Sequence, residues 1–425
     1  MIAIAPPGST KIVFVNRYFF PDQSATSQLL TDLALALAAA GFTVHVICSR
    51  QRYDDPSARL SPQESVGGVT VHRIWTSRFG RHRLLGRALD YATFYCWSAF
   101  AMLRLLRRGD TVIAETDPPL ISIVALAAAR LKRAQLINWL QDVFPEVASV
   151  LGANPLPLPL DALLRRFRDL SLRAARLNVV LGERMRERLM QMGIPPNKIR
   201  VIENWAGANI DPPKPVAHSA LRAEFGLQGK FVVGYSGNLG RAHEFQTVLD
   251  AAHLLKDEGA IVFLMIGGGV GMTQLARVVH ERRLSNFRFL PYQPRESLGD
   301  ALGAADVHWV SLQPALEGLI VPSKFYGILA AERPVIFIGD LDGEVARAIR
   351  TCGCGAAVEI ADPRELVRLL IEWKAKPEHL SRMGQRGYER YLDRFCAPRA
   401  FAQWTAILTQ PNHVVDALSP APSRQ

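Results

Sequence analysis

The sequence has few cysteines and lacks the features of a secretory leader. Its 425 residues include 5 cysteines at scattered positions, too few for a disulfide framework or a zinc array, so a reducing cytoplasm is expected. Cys352 and Cys354 are close in sequence but have no further cysteine or histidine beside them, which argues against a metal or redox pair. The first ten residues are apolar without a basic start or a long apolar core, so a signal peptide is not predicted.

Three other signatures are missing. No Gly-x-Gly-x-x-Gly fingerprint follows the first strand, and no nucleic-acid module can be recognised, so no nucleic-acid partner is expected. A membrane-spanning helix needs about 20 apolar residues. The most apolar stretch, 89–106, is interrupted by Asp90 and Arg104, which favours a buried helix or one lying on a membrane over a spanning one.

Charge is abundant in one half of the chain. The formal net charge is +11, and residues 1–210 hold 26 Lys and Arg against 16 Asp and Glu, a balance of +10. A basic half suggests an anionic partner. Two arginine-rich segments, 78–87 and 165–176, lie beside leucines or aromatic residues. They are either solvated helix faces, paired locally with Asp161 and Asp169, or contacts to an anionic lipid surface.

Short apolar runs that alternate with helical segments predict two parallel α/β sheets. In the first half the expected strands are 11–15, 43–48, 69–75, 111–115, 135–139, 177–181 and 200–202. In the second half they are 231–236, 261–266, 287–290, 307–311, 335–338 and 356–360. Hydrophobic residues make up 49% of the chain and charged residues 21%, as in globular proteins, and the length favours two domains.

A proline-rich break at 210–215 gives the domain boundary. We predict an N-terminal Rossmann-like domain over 1–210, a second over 211–385, final helices including 386–410, and a disordered tail over 411–425. Two successive sheets of this kind predict two Rossmann-like domains that face a cleft.

Three segments in the second half carry glycine or charge where a phosphate could bind. The first follows strand 231–236 and contains Gly237 and Arg241, and the second begins at Gly267 and Gly268. The third places Ser323 and Lys324 before a short helix. Glycines at strand ends let backbone N–H groups approach a pyrophosphate, and the two cations could neutralise its charge.

The pattern resembles the family 4 retaining glycosyltransferases of GT-B fold, in the branch that builds bacterial exopolysaccharide, O-antigen and colanic acid. The resemblance spans nearly the whole chain and rests on segments 16–27, 234–241, 289–292, 304–307 and 321–326. It implies a nucleotide-sugar donor on the C-terminal domain, an acceptor on the N-terminal domain and a last helix that crosses back to the N-terminal domain. It also implies that no metal or other cofactor is needed.

The resemblance also allows roles to be assigned. Arg241 and Lys324 would stabilise the leaving diphosphate, and Asp142, after strand 135–139, would contact reactive hydroxyls or cap a helix. The further donor-binding residues are Ser236, Gly237, Asn238, Gly267, Gly268, Tyr292, Glu317, Ser323 and Glu332, and the acceptor-side residues are Asn16, Gln23 and Ser24.

The sequence departs from the family at its paired glutamates. Aligned on Ser323 and Lys324, the second glutamate falls at Gly327 and the first at Leu319, so Glu317 or Glu332 would replace the ribose-binding carboxylate.

The expected activity is transfer of a hexosyl or N-acetylhexosaminyl group from a donor such as a UDP-sugar to a lipid-linked or growing polysaccharide. The enzyme would be cytoplasmic and peripheral on the inner face of the cell membrane. A nucleotide-sugar 2-epimerase, using His243 and Glu244, and a catalytically silent scaffold remain as alternatives. Asp340 and Asp342 have the spacing of a cation-binding pair, but a turn is favoured because Gly343 follows them.

Overall fold

In the computed structural model of the protein, each strand expected from the sequence is present within two residues of its predicted bounds. The structure describes residues 11–53, 55, 57–80, 84–152, 158–206, 210 and 219–409. The described residues fall into two units, one within 11–149, 158–203 and 400–409, the other within 150–152, 204–206, 210 and 219–399. The proline-rich break beyond residue 210 and the tail over 411–425 lie outside the described residues.

The first unit is built on a twisted sheet of eight strands. They are β1 (Lys11–Val15), β2 (Thr43–Ser49), β3 (Gln63–Val66), β4 (Val69–Ile74), β5 (Thr111–Ala114), β6 (Gln135–Trp139), β7 (Leu177–Val180) and β8 (Ile199–Val201). Their order is β3-β4-β2-β1-β5-β6-β7-β8, parallel throughout except for the antiparallel pair of β3 and β4. The order reverses between β1 and β5, and the crevice at such a point is where ligands bind in open α/β sheets.

Strand β3 is missing from the sequence prediction. Its residues alternate between exposed and half-buried positions and include no continuous apolar run. The signal was the Gly67-Gly68 turn between two valines, a strong hairpin pattern.

Helices cover both faces of this sheet, which is why its central strands are apolar without interruption. The helices of the first unit are α1 (Ala25–Ala39), α2 (Leu84–Leu105), α3 (Ile121–Lys132), α4 (Glu146–Val150), α5 (Leu158–Ala174) and α6 (Glu183–Gln191). Phe94 and Met102 of α2 are fully buried against Val13 and Val112 of the sheet. Within the described ranges, no helix combines the length and apolar content that a bilayer crossing requires.

The second unit contains a six-stranded, fully parallel sheet in the order β11-β10-β9-β12-β13-β14. Its strands are β9 (Phe231–Asn238), β10 (Ile261–Gly268), β11 (Phe287–Leu290), β12 (Val307–Ser311), β13 (Val335–Ile338) and β14 (Gly355–Val358). Its helices are α7 (Ala220–Glu224), α8 (Gln246–Leu254), α9 (Val270–Glu281), α10 (Leu298–Gly303), α11 (Lys324–Ala330), α12 (Glu344–Cys352), α13 (Pro363–Lys374) and α14 (Pro377–Arg390). The core of this unit is formed around the buried side chains of Tyr235, Phe263 and Trp309.

The last described helix groups with the first unit from residue 400 onward. A π-helical turn, Tyr391–Phe395, follows α14 and leads into α15 (Ala397–Thr409), whose described residues from 400 onward group with the first sheet. Trp404 is fully buried, with its ring centroid 5.1 Å from that of Trp139. Arg176 donates to the carbonyl of Ile407 at 2.9 Å. The return to the first unit therefore begins about 14 residues after the predicted segment 386–410 starts.

Candidate functional site

Two glycine-bearing strand ends lie against each other in the second unit. Gly237 at the end of β9 pairs with Gly267 at the end of β10, and both have positive φ, 124° and 126°. A Cβ on Gly267 would lie 2.2 Å from the carbonyl oxygen of Gly237, and one on Gly269 would lie 2.1 Å from Asn238 Oδ1. The two loops can therefore approach this closely only without side chains at these glycines.

Lys324, the first residue of α11, lies over the same strand ends. Its Nζ atom is 5.3 Å from the centroid of the Tyr235 ring and donates to His243 Nε2 at 3.2 Å. A Cβ on Gly237 would come within 2.9 Å of Lys324 Cε, so the glycine makes room for the lysine stem. Burial lowers the pKa of Lys324 to about 8. The lysine is a half-buried cation beside glycine backbone, a suitable partner for a phosphate.

His243 orients this lysine. Its Nδ1 lies 2.6 Å from the carbonyl oxygen of Ser311, so Nδ1 carries the proton and donates, which leaves the Nε2 lone pair for Lys324. Burial, with the Lys324 charge beside it, lowers the pKa of His243 to about 3 and keeps the ring neutral. From the sequence, His243 was a candidate only for an epimerase site, because its contact with Lys324 joins residues 81 positions apart.

Other predicted donor residues surround these strand ends. Tyr292 is exposed, and its ring would come within 3.0 Å of a Cβ on Gly268. Arg241 is exposed, and its carbonyl accepts from Gln313 Nε2 at 2.8 Å, which ties its loop to the segment after β12. Ser323 is exposed at the start of α11. The structure thus brings most of the predicted donor residues to one edge of the second sheet, including Ser236 and Asn238 on β9.

The two candidate replacements for the family glutamate occupy different places. Glu317 Oε2 accepts from the backbone N–H of Glu344 at 3.1 Å, so this carboxylate caps the start of α12. Glu332 follows the opposite end of α11 from Lys324, in the left-handed region at φ 54°. Only Glu317 therefore lies near the carboxyl ends of the strands. A ribose-binding role for either one stays a prediction.

Carboxyl groups gather at the carboxyl ends of β5 and β6 in the first unit. Glu115 follows β5 and is 2% exposed, while Asp142 follows β6 and is half-buried. Burial raises the pKa of Asp142 to about 7 despite a hydrogen bond with Thr116. Burial also raises the pKa of Glu115 well above its ordinary value, and the charges of Asp117 and Asp142 add to this shift. Such raised values are typical of functional carboxyl groups.

The predicted acceptor-side residues are held within their own loop. Asn16 is fully buried and donates through Nδ2 to the carbonyl of Tyr18 at 2.9 Å. Ser24 precedes α1, and its hydroxyl donates to Asp22 Oδ1 at 2.6 Å. Gln23 is exposed. The structure therefore leaves Gln23 open to solvent, while Asn16 and Ser24 shape the loop after β1.

Two arginines of α5 that were candidates for lipid binding form ion pairs within the protein. Arg168 is 5% exposed and forms two hydrogen bonds with Glu146, at 2.7 and 2.8 Å. Arg165 binds Asp161 at 2.6 Å and also forms an ion pair with Glu146. The pairing with Glu146 was not predicted from the sequence, because Glu146 lies on a separate helix, α4. Part of the other arginine-rich segment, 81–83, lies outside the described residues.

Asp340 and Asp342 form a turn with a capping ion pair. Asp340 Oδ1 accepts from the backbone N–H of Asp342 at 2.9 Å, and Asp342 binds the Arg347 guanidinium through both oxygens, at 2.7 and 2.9 Å. The turn interpretation is therefore confirmed. Among the residues that the structure describes, no group of three or more His, Cys, Asp or Glu side chains is arranged to hold a metal ion.

The two parallel sheets define a two-domain α/β protein of GT-B fold. Sucrose-phosphate synthase from Thermosynechococcus elongatus matches 94% of this chain and 98% of its own at a TM-score of 0.74 and 16% identity. The Anabaena protein HepE, solved in complex with UDP and glucose, matches 95% of this chain and 100% of its own at a TM-score of 0.70 and 16% identity. At these identities the similarity establishes the fold alone.

Sequence comparison identifies the family. Residues 26–205 match the glycosyl transferase 4-like domain and residues 219–390 match glycosyl transferases group 1, so the chain belongs to the glycosyltransferases built from these two domains. WbjE of Pseudomonas aeruginosa, named as a glycosyltransferase, is 29% identical over 69% of this chain and 74% of its own. WcaI of Escherichia coli (strain K12), named as a colanic acid biosynthesis glycosyl transferase, is 24% identical over 92% of this chain and 98% of its own.

Proposed function

We propose that the protein transfers a sugar, with retention of anomeric configuration, from a UDP-sugar to a lipid-linked or growing polysaccharide. The observation that carries this proposal is the packing of Lys324 over the glycine ends of β9 and β10. That arrangement offers a cation and close backbone approach at one point, which suits a diphosphate. The HepE structures that hold UDP and UDP-glucose support the choice of UDP.

The leaving diphosphate gains negative charge as its bond to the sugar breaks. Lys324, held in place by His243, is the group best placed to stabilise that charge, and Arg241 on the adjoining loop would add to it. Because the charge is larger in the transition state than in the bound donor, these cations would accelerate the reaction as well as bind the substrate.

The relatives support a role in cell-surface glycan synthesis. WcaI carries the name of a colanic acid biosynthesis enzyme, and it aligns over nearly the whole length of this chain. We propose that the acceptor is a polyprenyl-diphosphate-linked sugar, bound by the first unit near Asp142. A buried carboxyl with a pKa of about 7 is suited to bind a sugar hydroxyl at neutral pH.

The test is product analysis with purified protein, a panel of UDP-sugars and lipid-linked acceptors. Transfer of the sugar with retained configuration, read by NMR of the product, supports the proposal, whereas an inverted product contradicts retention. Conversion of the donor to its 2-epimer in the absence of an acceptor would favour the epimerase. The side chains of His243 and Glu244, however, already form hydrogen bonds within the protein. His243 bonds Ser311 and Lys324, and Glu244 accepts from the backbone N–H of Thr247 at 2.9 Å. Donor binding without turnover would favour the silent scaffold.

We propose that transfer needs no metal ion. The expected result is full activity in EDTA, because protein cations take the place of a metal at the diphosphate. Replacing Asp340 and Asp342 by asparagine should leave turnover within about twofold, since these side chains only hold a turn and Arg347. Initial rates with and without EDTA check this. Loss of activity on chelation, with recovery on adding magnesium or manganese, would contradict it.

We also propose that one face of the first unit binds an anionic membrane surface. Helix α3 packs against both α2 and α5, and all three leave apolar side chains in solvent. These are Leu85, Leu89, Trp97 and Phe100 on α2, Leu131 on α3, and Leu160, Leu163, Phe167 and Leu170 on α5. Exposed arginines accompany these side chains. Arg104 lies in the last turn of α2, Arg107 and Arg108 follow that helix, and Arg166 and Arg173 lie on α5. Apolar residues flanked by arginines are typical of helices that lie in the membrane interface.

This face makes a prediction for lipid binding. Replacing Phe167 and Leu170 together by glutamate is expected to weaken binding to anionic vesicles at least about tenfold. The variant lacks two half-exposed apolar side chains that would insert into the membrane, and its new carboxylates are repelled by the anionic lipid. Flotation on phosphatidylglycerol-containing vesicles at low salt measures this. Leu254→Glu, at an exposed leucine of the second unit, is the matched control and should float like the wild type. Equal flotation of all three proteins would contradict the assignment of this face.

A further inference from the structure

A cavity in the first unit is lined by an excess of hydrogen-bond acceptors. It lies at the carboxyl ends of β5 and β6, and its polar wall includes Glu115, Thr116, Asn138, Asp142 and Arg168. Both carboxyl oxygens of Glu115, Oδ1 of Asp142 and Oδ1 of Asn138 are buried and have no hydrogen-bond partner. Buried acceptors without partners are rare in native proteins, so four in one cavity require an explanation.

The side-chain amide and guanidinium donors in the wall are already used. Asn138 Nδ2 donates to Asn178 Oδ1 at 2.8 Å. Arg168 Nη1 and Nη2 donate to Glu146, and its Nε donates to Asp169 at 2.7 Å. Among the described residues that line the cavity, no other side chain is cationic. A phosphate would therefore meet carboxyl groups without a counter-charge, whereas a ligand that supplies hydroxyl hydrogens would satisfy the orphan acceptors.

Backbone strain is found in the same wall. Leu120, which lines the cavity and precedes α3, has φ 66° and ψ 11°, in the left-handed region that a leucine rarely adopts. Strain of this kind persists where the surrounding structure fixes it, and it is concentrated at ligand sites. The residues from Thr116 to Leu120 are mostly half-buried, and Asp142 is half-buried as well, so the cavity extends from buried Glu115 towards the surface.

We propose that this cavity binds hydroxyl groups of the acceptor sugar, with the Glu115 side chain both donating to and accepting from a hydroxyl and Asp142 accepting from its neighbour. The inference rests on the proposed transferase function and adds Glu115 and Asn138 to the acceptor site. A hydroxyl is itself both donor and acceptor, so it complements a protonated carboxyl. The raised pKa of Glu115, caused mainly by burial, is consistent with a protonated group.

The experiment measures saturation-transfer NMR on the full chain with methyl glycosides of glucose, galactose, mannose and N-acetylglucosamine. Glu115→Met removes the hydrogen-bonding group without leaving a large void, and should weaken glycoside binding at least about tenfold. Glu115→Gln keeps one donor and one acceptor. Its affinity for the glycosides should be within about threefold of that of the wild type, because the hydrogen bonds are retained. Glu183→Met, at an exposed ion pair of the same unit, is the control and should change nothing.

The outcomes separate the two proposals. Binding by the wild type and Glu115→Gln, with loss in Glu115→Met, supports the cavity assignment. No glycoside signal with the wild type, equal signals in Glu115→Met, or loss in Glu115→Gln would each overturn it. A melting curve for each variant shows that it is folded. UDP titration of the same samples reports on the second unit, so a protein that binds UDP but no glycoside refutes the cavity alone, and one that binds no UDP refutes the donor assignment.

Discussion

Replacing Lys324 by alanine is expected to lower turnover about 100-fold or more, the usual effect of removing a group that stabilises charge in the transition state. The lysine Nζ lies 3.2 Å from His243 Nε2 and over the Tyr235 ring, beside the glycine ends of β9 and β10. Arg241, on the loop that follows β9, is exposed, whereas Lys324 is half-buried beside the glycines. Initial rates with saturating donor measure the effect, and a melting curve shows that the fold is intact.

A matched control separates charge at the site from charge in general. Lys256→Ala removes an exposed lysine of the same unit and should leave the rate unchanged. Arg241→Ala should also lower turnover. The size of the decrease shows whether this exposed side chain reaches the diphosphate. Near-normal rates in both Lys324→Ala and Arg241→Ala would sink the donor-site assignment.

The pH profile tests the same cation independently. Burial lowers the pKa of Lys324 to about 8, so the side chain is charged below that pH and neutral above it. If the charged form is needed, kcat/KM for the donor at saturating acceptor should fall as the pH rises through 8, a step distinct from any titration of Asp142, whose pKa is about 7. The neighbouring His243 has a pKa of about 3 and stays neutral over this range, so it does not add a second transition.

The sequence was sufficient for the sheets because their strands are buried on both faces and therefore read as continuous apolar runs. Strand β3 has no such run, and a two-glycine turn was its only mark. The glycine loops after β9 and β10 could be located from the sequence because glycine at the end of a parallel strand permits close backbone approach. What could not be predicted was the pairing of distant side chains. Arg168 and Glu146 are 22 residues apart, and their ion pair places a lipid-facing candidate in the interior.

The same limit explains why Glu115 was not among the candidate acceptor-site residues predicted from the sequence. Asp142 was chosen because it lies just after the predicted strand 135–139, whereas Glu115 is the last residue of the predicted strand 111–115. Its importance appears only when the fold places it in a cavity with Asn138 and leaves its oxygens without partners. A resemblance to a family transfers motif positions. It does not tell which carboxyl groups a particular chain buries, because burial depends on every helix packed around the sheet.

The close approach of β9 and β10 leaves no room for a side chain at Gly267. A Cβ there would lie 2.2 Å from the Gly237 carbonyl oxygen, and φ is 126°, a conformation that residues with side chains rarely adopt. Gly267→Ala should therefore spread the two strand ends, lower the free energy of unfolding by about 2–4 kcal/mol and weaken UDP binding about 100-fold or more. Denaturant unfolding and calorimetric titration with UDP measure the two effects.

A graded series shows whether donor binding depends on this contact. Gly259→Ala, where a Cβ meets nothing within 4 Å and φ is not positive, should match the wild type in both measurements. Gly268→Ala puts a Cβ 3.0 Å from the Tyr292 ring, which is exposed and can move, so it should stay folded and weaken UDP binding by about tenfold or less. If Gly267→Ala does not fold but Gly268→Ala does, the UDP affinity of Gly268→Ala still tests the site. UDP affinity that is the same in all folded members of the series would place the diphosphate elsewhere, because a ligand bound over these strand ends must respond when they move apart.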